Sequence, residues 1–333
     1  MQNNPASTGS KSFGLISLVV PFYNEEGSVE ELIARLVSEL EKVGRPFEIL
    51  LIDDGSSDRG PALVTEFAAT DSRVRLISFT RNFGKAAALS AGFQRASGEV
   101  IITMDADLQD DPAEITNFLF AIDEGFDVVS GWKKIRHDPI GKTLPSKVFN
   151  LMLQKTFDLD INDFNCGFKA YSRRAAKSLN LYGELHRFTP ALANSNGFTV
   201  TEITVQHHAR VHGESKYGIS RLFKGLLDLI TVKLMTTYST RPLHFFGMVA
   251  MPLGFLGGLI LVYLTTLWFL DMGPIGNRPL LLIGILFVIT ATQLIGIGLT
   301  AELLQTKGLS EQDKYIVDSD TGDQSASRNS QGT

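Results

Sequence analysis

The sequence predicts an α/β fold, a mostly parallel sheet with helices on both faces, followed by two long apolar helices. Three observations carry this. Short β-branched runs alternate with helical periodicities between Leu15 and Trp132, the pattern of crossover units in a parallel sheet. Several of those runs end in carboxylates. Leu243–Leu270 and Pro279–Ala301 carry no Asp, Glu, Lys or Arg over 28 and 23 residues, long enough at ~1.5 Å per residue to cross a hydrocarbon core of ~30 Å.

The first predicted strand is Leu15–Val20, left through Pro21-Phe22-Tyr23-Asn24-Glu25-Glu26. A helix is expected from Ser28, which with Glu31 forms a capping-box pattern. Val29, Leu32, Ile33, Leu36, Val37 and Leu40 keep helical spacing until Gly44. The second strand, Phe47–Ile52, stops at Asp53-Asp54-Gly55-Ser56-Ser57-Asp58. Val74–Phe79 is the third, followed by Arg81-Asn82-Phe83-Gly84-Lys85 and an alanine-rich helix to Ala96. The fourth, Val100–Met104, runs into Asp105-Ala106-Asp107-Leu108-Gln109-Asp110, and Pro112 opens the next helix at a favoured first-turn position. Asp127–Trp132 is the fifth.

Ligands of open α/β sheets bind at the carboxyl ends of strands, so the carboxylates ending strands one, two and four are expected to converge on one crevice. An Asp-x-Asp recurs by chance in a chain with 36 acidic residues. At the end of a buried strand, however, Asp105 and Asp107 with Gln109 beside them offer hard oxygen ligands with positions left over. That suits a divalent cation shared with substrate phosphates. Neither a G-x-G-x-x-G nor a G-x-x-x-x-G-K-[ST] motif is present, so a nucleotide would be held by strand-end side chains and a metal.

Lys133-Lys134-Ile135-Arg136-His137, with Lys142 and Lys147, forms a cationic, proline-broken segment suited to anionic groups or, equally, to a solvated loop. Asn162–Lys169 places Asp163 and Lys169 near a turn. Ile219–Leu234 has Ile219, Leu222, Phe223, Leu226, Leu227, Ile230 and Leu234 on one face, with Arg221, Lys224 and Lys233 elsewhere. Just before an apolar span it reads as an interfacial amphipathic helix. The cations Lys216 to Arg241 ahead of that span place the large domain in the cytoplasm by the positive-inside rule.

The net charge of −5 and the lack of a basic stripe in the first 200 residues argue against nucleic acid. One cysteine, Cys166, excludes an internal disulfide. His207, His208 and His212 lack further partners for a zinc site. Gly254 and Gly258 form a G-x-x-x-G that permits close helix packing, and a homo-oligomer is one expected partner. The expected organisation is a disordered start (1–12), a catalytic domain (13–215), interfacial helices (216–242), two spans (243–270 and 279–304) joined by a turn (271–278), and a flexible tail (305–333).

Pro21–Glu26, Asp53–Asp58, Arg81–Lys85, Asp105–Asp110, Asn165–Lys169 and Gly213-Glu214-Ser215-Lys216-Tyr217 together resemble, in order, glycosyltransferase family 2. Within it the chain looks like the polyprenyl-phosphate glycosyltransferases, the group containing bactoprenol glucosyltransferases and dolichyl-phosphate mannose synthases. The resemblance implies a GT-A fold, with Pro21, Tyr23, Glu25, Leu51, Asp53 and Asp54 on the nucleotide-sugar and Asp105, Ala106, Asp107 and Gln109 on Mg2+ or Mn2+ and the diphosphate. It implies Lys133, Arg136, Arg187, Arg210 and Lys216 on the acceptor phosphate, with Lys133 where relatives often carry arginine. Leu181–Phe188 resembles a segment on the acceptor side.

The implied reaction is inverting transfer of a hexose, with UDP-glucose first as donor and GDP-mannose or a UDP-N-acetylhexosamine as alternatives. The implied acceptor is undecaprenyl or dolichyl phosphate at the cytoplasmic face of a bacterial inner membrane, with a flippase or a lipid-linked-sugar transferase downstream. A phosphate nucleophile with a second pKa of ~6 is already ionised at neutral pH. Asp163 is therefore expected to orient a group and not to serve as a strong base, while Asp105, Asp107, Lys133, Arg210 and Lys216 stabilise charge. A phosphatase of the haloacid dehalogenase type, which expects Thr or Val where Gln109 stands, and an inactive membrane scaffold remain alternatives.

Overall fold

The computed structural model describes residues 14–134, 150, 152–206, 229–234, 236–238 and 241–308. They fall into two compact units, one ending at Val232 and the other beginning at Lys233.

The first unit is built on seven strands: β1 (Ile16–Phe22), β2 (Phe47–Asp53), β3 (Val74–Ser78), β4 (Val100–Thr103), β5 (Val128–Trp132), β6 (Lys169–Ser172) and β7 (Val200–Thr204). Their order across the sheet is β3-β2-β1-β4-β6-β5-β7. All residues of β1, β2 and β4 are buried, as expected of strands covered on both faces. Side chains alternate between two cores, Leu18, Val20 and Ile102 on one face and Val19, Leu50 and Ile101 on the other. The first core holds α1 (Val29–Val43) and α4 (Ile115–Asp123), the second α3 (Lys85–Arg95). A further helix, α2 (Gly60–Thr70), packs beside β3 and was not among the expected elements. Later in the chain come α5 (Arg173–Ser178) and α6 (Thr189–Ser195).

The strand ends correct the sequence reading in three ways. β1 continues to Phe22 through Pro21, pairing with β2 to the register Phe22↔Asp53. Val19 O accepts from Met104 N on the β4 side, so the missing N–H of Pro21 also faces that side, where the β4 ladder has already ended at Val19↔Thr103. Ser28 does cap α1 by position, yet its side chain makes no cap bond. Its hydroxyl donates to Glu25 Oε2 at 3.0 Å, and Glu31 pairs with Arg35, so the capping box does not form. The third correction is β6, which runs antiparallel between β4 and β5, with Lys169 opposite both Thr103 and Ser130. Its amino end thus lies at the same edge as the carboxyl end of β4.

Only the end of the expected interfacial helix is described. There Leu229 and Val232 are buried and Ile230, assigned to the apolar face, is exposed. Among the described residues, Leu229 and Val232 pack into the second core and Ile230 does not.

The second unit is an antiparallel pair, α7 (Pro242–Phe269) and α8 (Pro279–Gly308). Both are long and apolar enough to cross a membrane. Small residues bring them together: a Cβ on Gly254 would lie 3.2 Å from Ala291, and one on Gly257 2.8 Å from Gly284 O. A Cβ on Gly258 would meet nothing within 4 Å. The expected G-x-x-x-G is therefore divided, with Gly254 used inside the pair. Met251, Phe255 and Leu282 stand outward, each more than 70% exposed.

Candidate active site

The carboxyl ends of β2, β1 and β4 lie side by side, and the order of connection reverses about β1. There a cleft of about 240 Å³ opens between Pro21, Phe22, Tyr23, Glu25, Asp54, Lys85, Asp105, Ala106 and Asp107. Three strand ends converge as their sequence promised.

The walls are loops stapled to one another. After β1, Asn24 takes a left-handed conformation (φ 55°), donates through its N–H to Ser56 Oγ at 3.0 Å and accepts from Ser57 N at 2.9 Å. Glu26 N donates to Asp58 Oδ2, and Glu26 Oε2 accepts in return from Arg59 N. After β2, Asp53 turns inward and accepts from Ser56 N at 2.8 Å. Asp54 accepts from Phe83 N at 2.7 Å and Gly84 N at 2.9 Å. Gly55, at φ 74°, lies so near the next loop that a Cβ would stand 2.4 Å from the Arg81 carbonyl carbon.

Asp54 thereby sets where α3 begins, and the first residue of α3 is Lys85. Its Nζ forms an ion pair with Asp105 Oδ1, each side chain about one-third exposed (33% and 32%). Loss of bulk water works against the Asp105 carboxylate, but the Lys85 charge and hydrogen bond outweigh it and hold the group at about 2. Asp107 Oδ1 accepts from Gln109 N at 3.3 Å across Leu108. Leu108 is left-handed (φ 57°) and buried, a strained arrangement of the kind concentrated at functional sites.

Beneath Asp105 lies the segment that precedes β6. Gly167 packs against the Asp105 carboxylate so closely that a Cβ would come within 2.5 Å of Oδ2, and Gly167 O accepts from Thr103 Oγ1 at 2.8 Å. Lys169 is buried and donates to the carbonyls of Phe164 (3.1 Å) and Cys166. Burial lowers its ammonium to about 8, and burial raises the Cys166 thiol to about 12, leaving it unreactive. Asp163 is also buried and accepts from Asn165 N at 3.2 Å.

The resemblance-based assignments are thus divided. Pro21, Tyr23, Glu25, Asp54, Asp105, Ala106 and Asp107 line the cleft. The Leu51 side chain is fully buried in the core, and Asp53 and Asp163 serve the loops first. Lys133 pairs with Asp110 at 2.6 Å, with 14% and 0% side-chain exposure. Burial opposes the Lys133 charge, but Asp110 more than offsets it and the ammonium is raised. Arg187 pairs with Glu184. Arg136, Arg210 and Lys216 lie outside the described residues, as do His207, His208 and His212.

The sequence reading assigned no role to Lys85, Asp110, Gly167 or His186. Lys85 carried a signal, since a cation directly after a strand-end motif shares an edge with the acids of β4. His186 did not. It stands in the 3₁₀ turn Leu185–Phe188, its Nδ1 buried with no hydrogen-bond partner among the described residues. Burial first, then Lys85, Arg187 and Lys169, push its imidazole down to about 3, with Asp105 opposing.

Among the described residues no three His, Cys, Asp or Glu side chains gather into a complete metal cage. Two carboxylates at one strand end fit a divalent cation whose remaining ligands are water and diphosphate oxygens.

Residues 17–179 match the family model for glycosyl transferase family 2. The chain is 37% identical over 294 residues, 87% of each chain, to the dodecaprenyl-phosphate galacturonate synthase of Rhizobium johnstonii. It is 39% identical over 292 residues, 87% of this chain and 88% of the relative, to the undecaprenyl-phosphate 4-deoxy-4-formamido-L-arabinose transferase of Klebsiella pneumoniae. Among solved structures, glucosyl-3-phosphoglycerate synthase from Mycobacterium tuberculosis, in complex with Mn2+, uridine diphosphate and phosphoglyceric acid, shares the fold. Its TM-score is 0.51 at 18% identity, over 67% of this chain and 78% of that one. With the cleft carboxylates at the ends of β1, β2 and β4 and relatives this similar along most of its length, the chain belongs to glycosyl transferase family 2.

Proposed function

We propose that the protein transfers a sugar from a nucleotide diphosphate to a polyprenyl monophosphate at a membrane surface. The observation that carries this reading is the cleft itself: Asp105, Asp107, Glu25 and Asp54 with one cation, Lys85, at the edge where such folds bind ligands. The relatives' names supply the acceptor class. They move the donor away from the expected glucose, toward galacturonate or 4-deoxy-4-formamido-L-arabinose.

In this reading Pro21, Tyr23 and Glu25 border the nucleotide, and Asp105 and Asp107 hold the divalent cation. Mg2+ or Mn2+ there supplies neutralisation of charge on the departing nucleotide diphosphate. The acceptor phosphate needs no strong base, its second pKa being ~6. Asp163, buried against Asn165 N, keeps the segment under Asp105 in place. Lys133 and Arg187 already hold carboxylates, so acceptor phosphate recognition falls mainly to Arg136, Arg210 and Lys216.

α7 and α8 have a reason in the same reading. A polyprenyl chain leaves a bilayer at ~0.8 kcal/mol per methylene, so the catalytic unit must meet the phosphate where the lipid lies. The domain boundaries, the cytoplasmic face and a downstream flippase or lipid-linked-sugar transferase belong to this proposal.

The test is incubation of the full chain, in detergent with Mn2+ or Mg2+ and undecaprenyl phosphate, with UDP-glucose, UDP-galacturonate, UDP-4-deoxy-4-formamido-L-arabinose and GDP-mannose separately. Glycolipid is scored by mass spectrometry. One donor should yield product, and Asp107→Ala should lower its turnover by about 10²–10³-fold. Free phosphate with no glycolipid from any donor would replace this reading with the phosphatase one.

A further inference from the structure

The Lys85–Asp105 pair occupies the acidic centre to which the proposed function assigns a divalent cation. Lys85 begins α3, behind a loop fixed by two backbone N–H bonds to Asp54. Gly167 packs over one face of the Asp105 carboxylate, where even a methyl group would collide. Backbone thus hems in Asp105 on one face, and the longer lysine side chain is the partner with room to move. The pair leaves about a third of each side chain exposed, and the Lys85 side chain lines an open cleft, so the amine has somewhere to go.

We propose that Lys85 is a resident cation that holds the metal site closed, and that it is displaced from Asp105 when a divalent ion enters together with the donor diphosphate. The inference rests on the metal role of Asp105 and Asp107 proposed above. Without diphosphate, a divalent ion must settle beside an ammonium that shares its ligand, and like charges at such range repel. With diphosphate, the displaced amine gains a second anion to face. Metal and nucleotide then favour each other's binding, and that coupling passes through Lys85 and is reciprocal. The device keeps Asp105 neutralised and correctly turned while the site is empty of donor.

Mn2+ binding to the full chain in detergent, followed by electron paramagnetic resonance with and without UDP, tests it without any turnover. Wild type should bind Mn2+ weakly alone and about tenfold or more tightly with UDP. Lys85→Met should bind Mn2+ alone about tenfold more tightly than wild type, so that UDP adds little. Lys85→Gln serves as the second variant should Met fold poorly, and Lys85→Arg should behave as wild type. Equal Mn2+ affinity of wild type, Lys85→Met and Lys85→Gln in the absence of UDP would overturn the proposal while leaving the metal site standing. No Mn2+ binding by wild type even with UDP would remove the metal reading, and this inference with it.

Discussion

Lys85–Asp105 and Lys133–Asp110 are two lysine–carboxylate pairs whose acids stand five residues apart at the end of β4. The first leaves about a third of each side chain in solvent contact, whereas in the second Asp110 has none and Lys133 only 14%. Water decides what each can do. A partly solvated pair contributes little net stability, so its partners can be exchanged at small cost. A sealed pair does no better as a unit, but removing one member strands a charge where nothing replaces it. The open pair suits chemistry and the sealed one suits architecture, although charge and residue types are the same.

The strongest way to break this comparison is to cut the sealed pair. Asp110→Ala or Lys133→Met alone should cost about 3–5 kcal/mol of stability, and Lys133→Met with Asp110→Leu should recover most of it. Thermal unfolding of the full chain in detergent reads both. Single variants that melt within about 1 °C of wild type would show that Asp110 is not sealed.

A smaller effect sharpens the open side. Gly167→Ala drives a methyl group into the Asp105 carboxylate, and misplacing a reacting group by about 1 Å costs about 10²-fold in rate. Transfer should fall by that order in kcat, with a loss of stability well below that of Asp110→Ala. An unchanged kcat would mean that the placement of Asp105 is not critical.

A third effect is read along pH and is absent at neutrality. His186 feels Lys85, Arg187 and Lys169 against the single carboxylate Asp105, and with burial these hold it at about 3 in the folded chain. Unfolded, it titrates near ~6.5. Between those values the unfolded chain binds the extra proton, so stability falls as pH drops from ~6.5 toward 3 and is unaffected by this group above that window. Asp105, held at about 2, adds a second loss between ~3.9 and 2. Melting temperature against pH, for wild type and His186→Gln, should show the first loss only in wild type.

The parallel half of the sheet was legible because its strands are short apolar runs between helical periodicities, and β1, β2 and β4 announce themselves a second time by the acids that follow them. β6 announced itself in neither way. Lys169-Ala170-Tyr171-Ser172 is four residues with a buried lysine among them, and no periodicity reveals that such a segment runs antiparallel between two others. That hidden strand is what carries Gly167 under Asp105. The acids of the cleft were likewise readable by type but not by direction. Asp53 and Asp105 are both strand-end aspartates; one accepts from Ser56 N and the other faces the cleft. The difference lies in which backbone N–H groups are within reach, and only the folded loops supply those.

The stapling of the three loops around the cleft has a consequence for how tightly a nucleotide can be held. Asn24 with Ser56 and Ser57, Glu26 with Asp58 and Arg59, and Asp54 with Phe83 and Gly84 tie the rims of β1, β2 and β3 into one piece. Loops that order themselves around a ligand spend part of its affinity on lost conformational entropy. Here the backbone share of that entropy was surrendered when the chain folded, and the loops meet a donor already in place, with only side chains left to move.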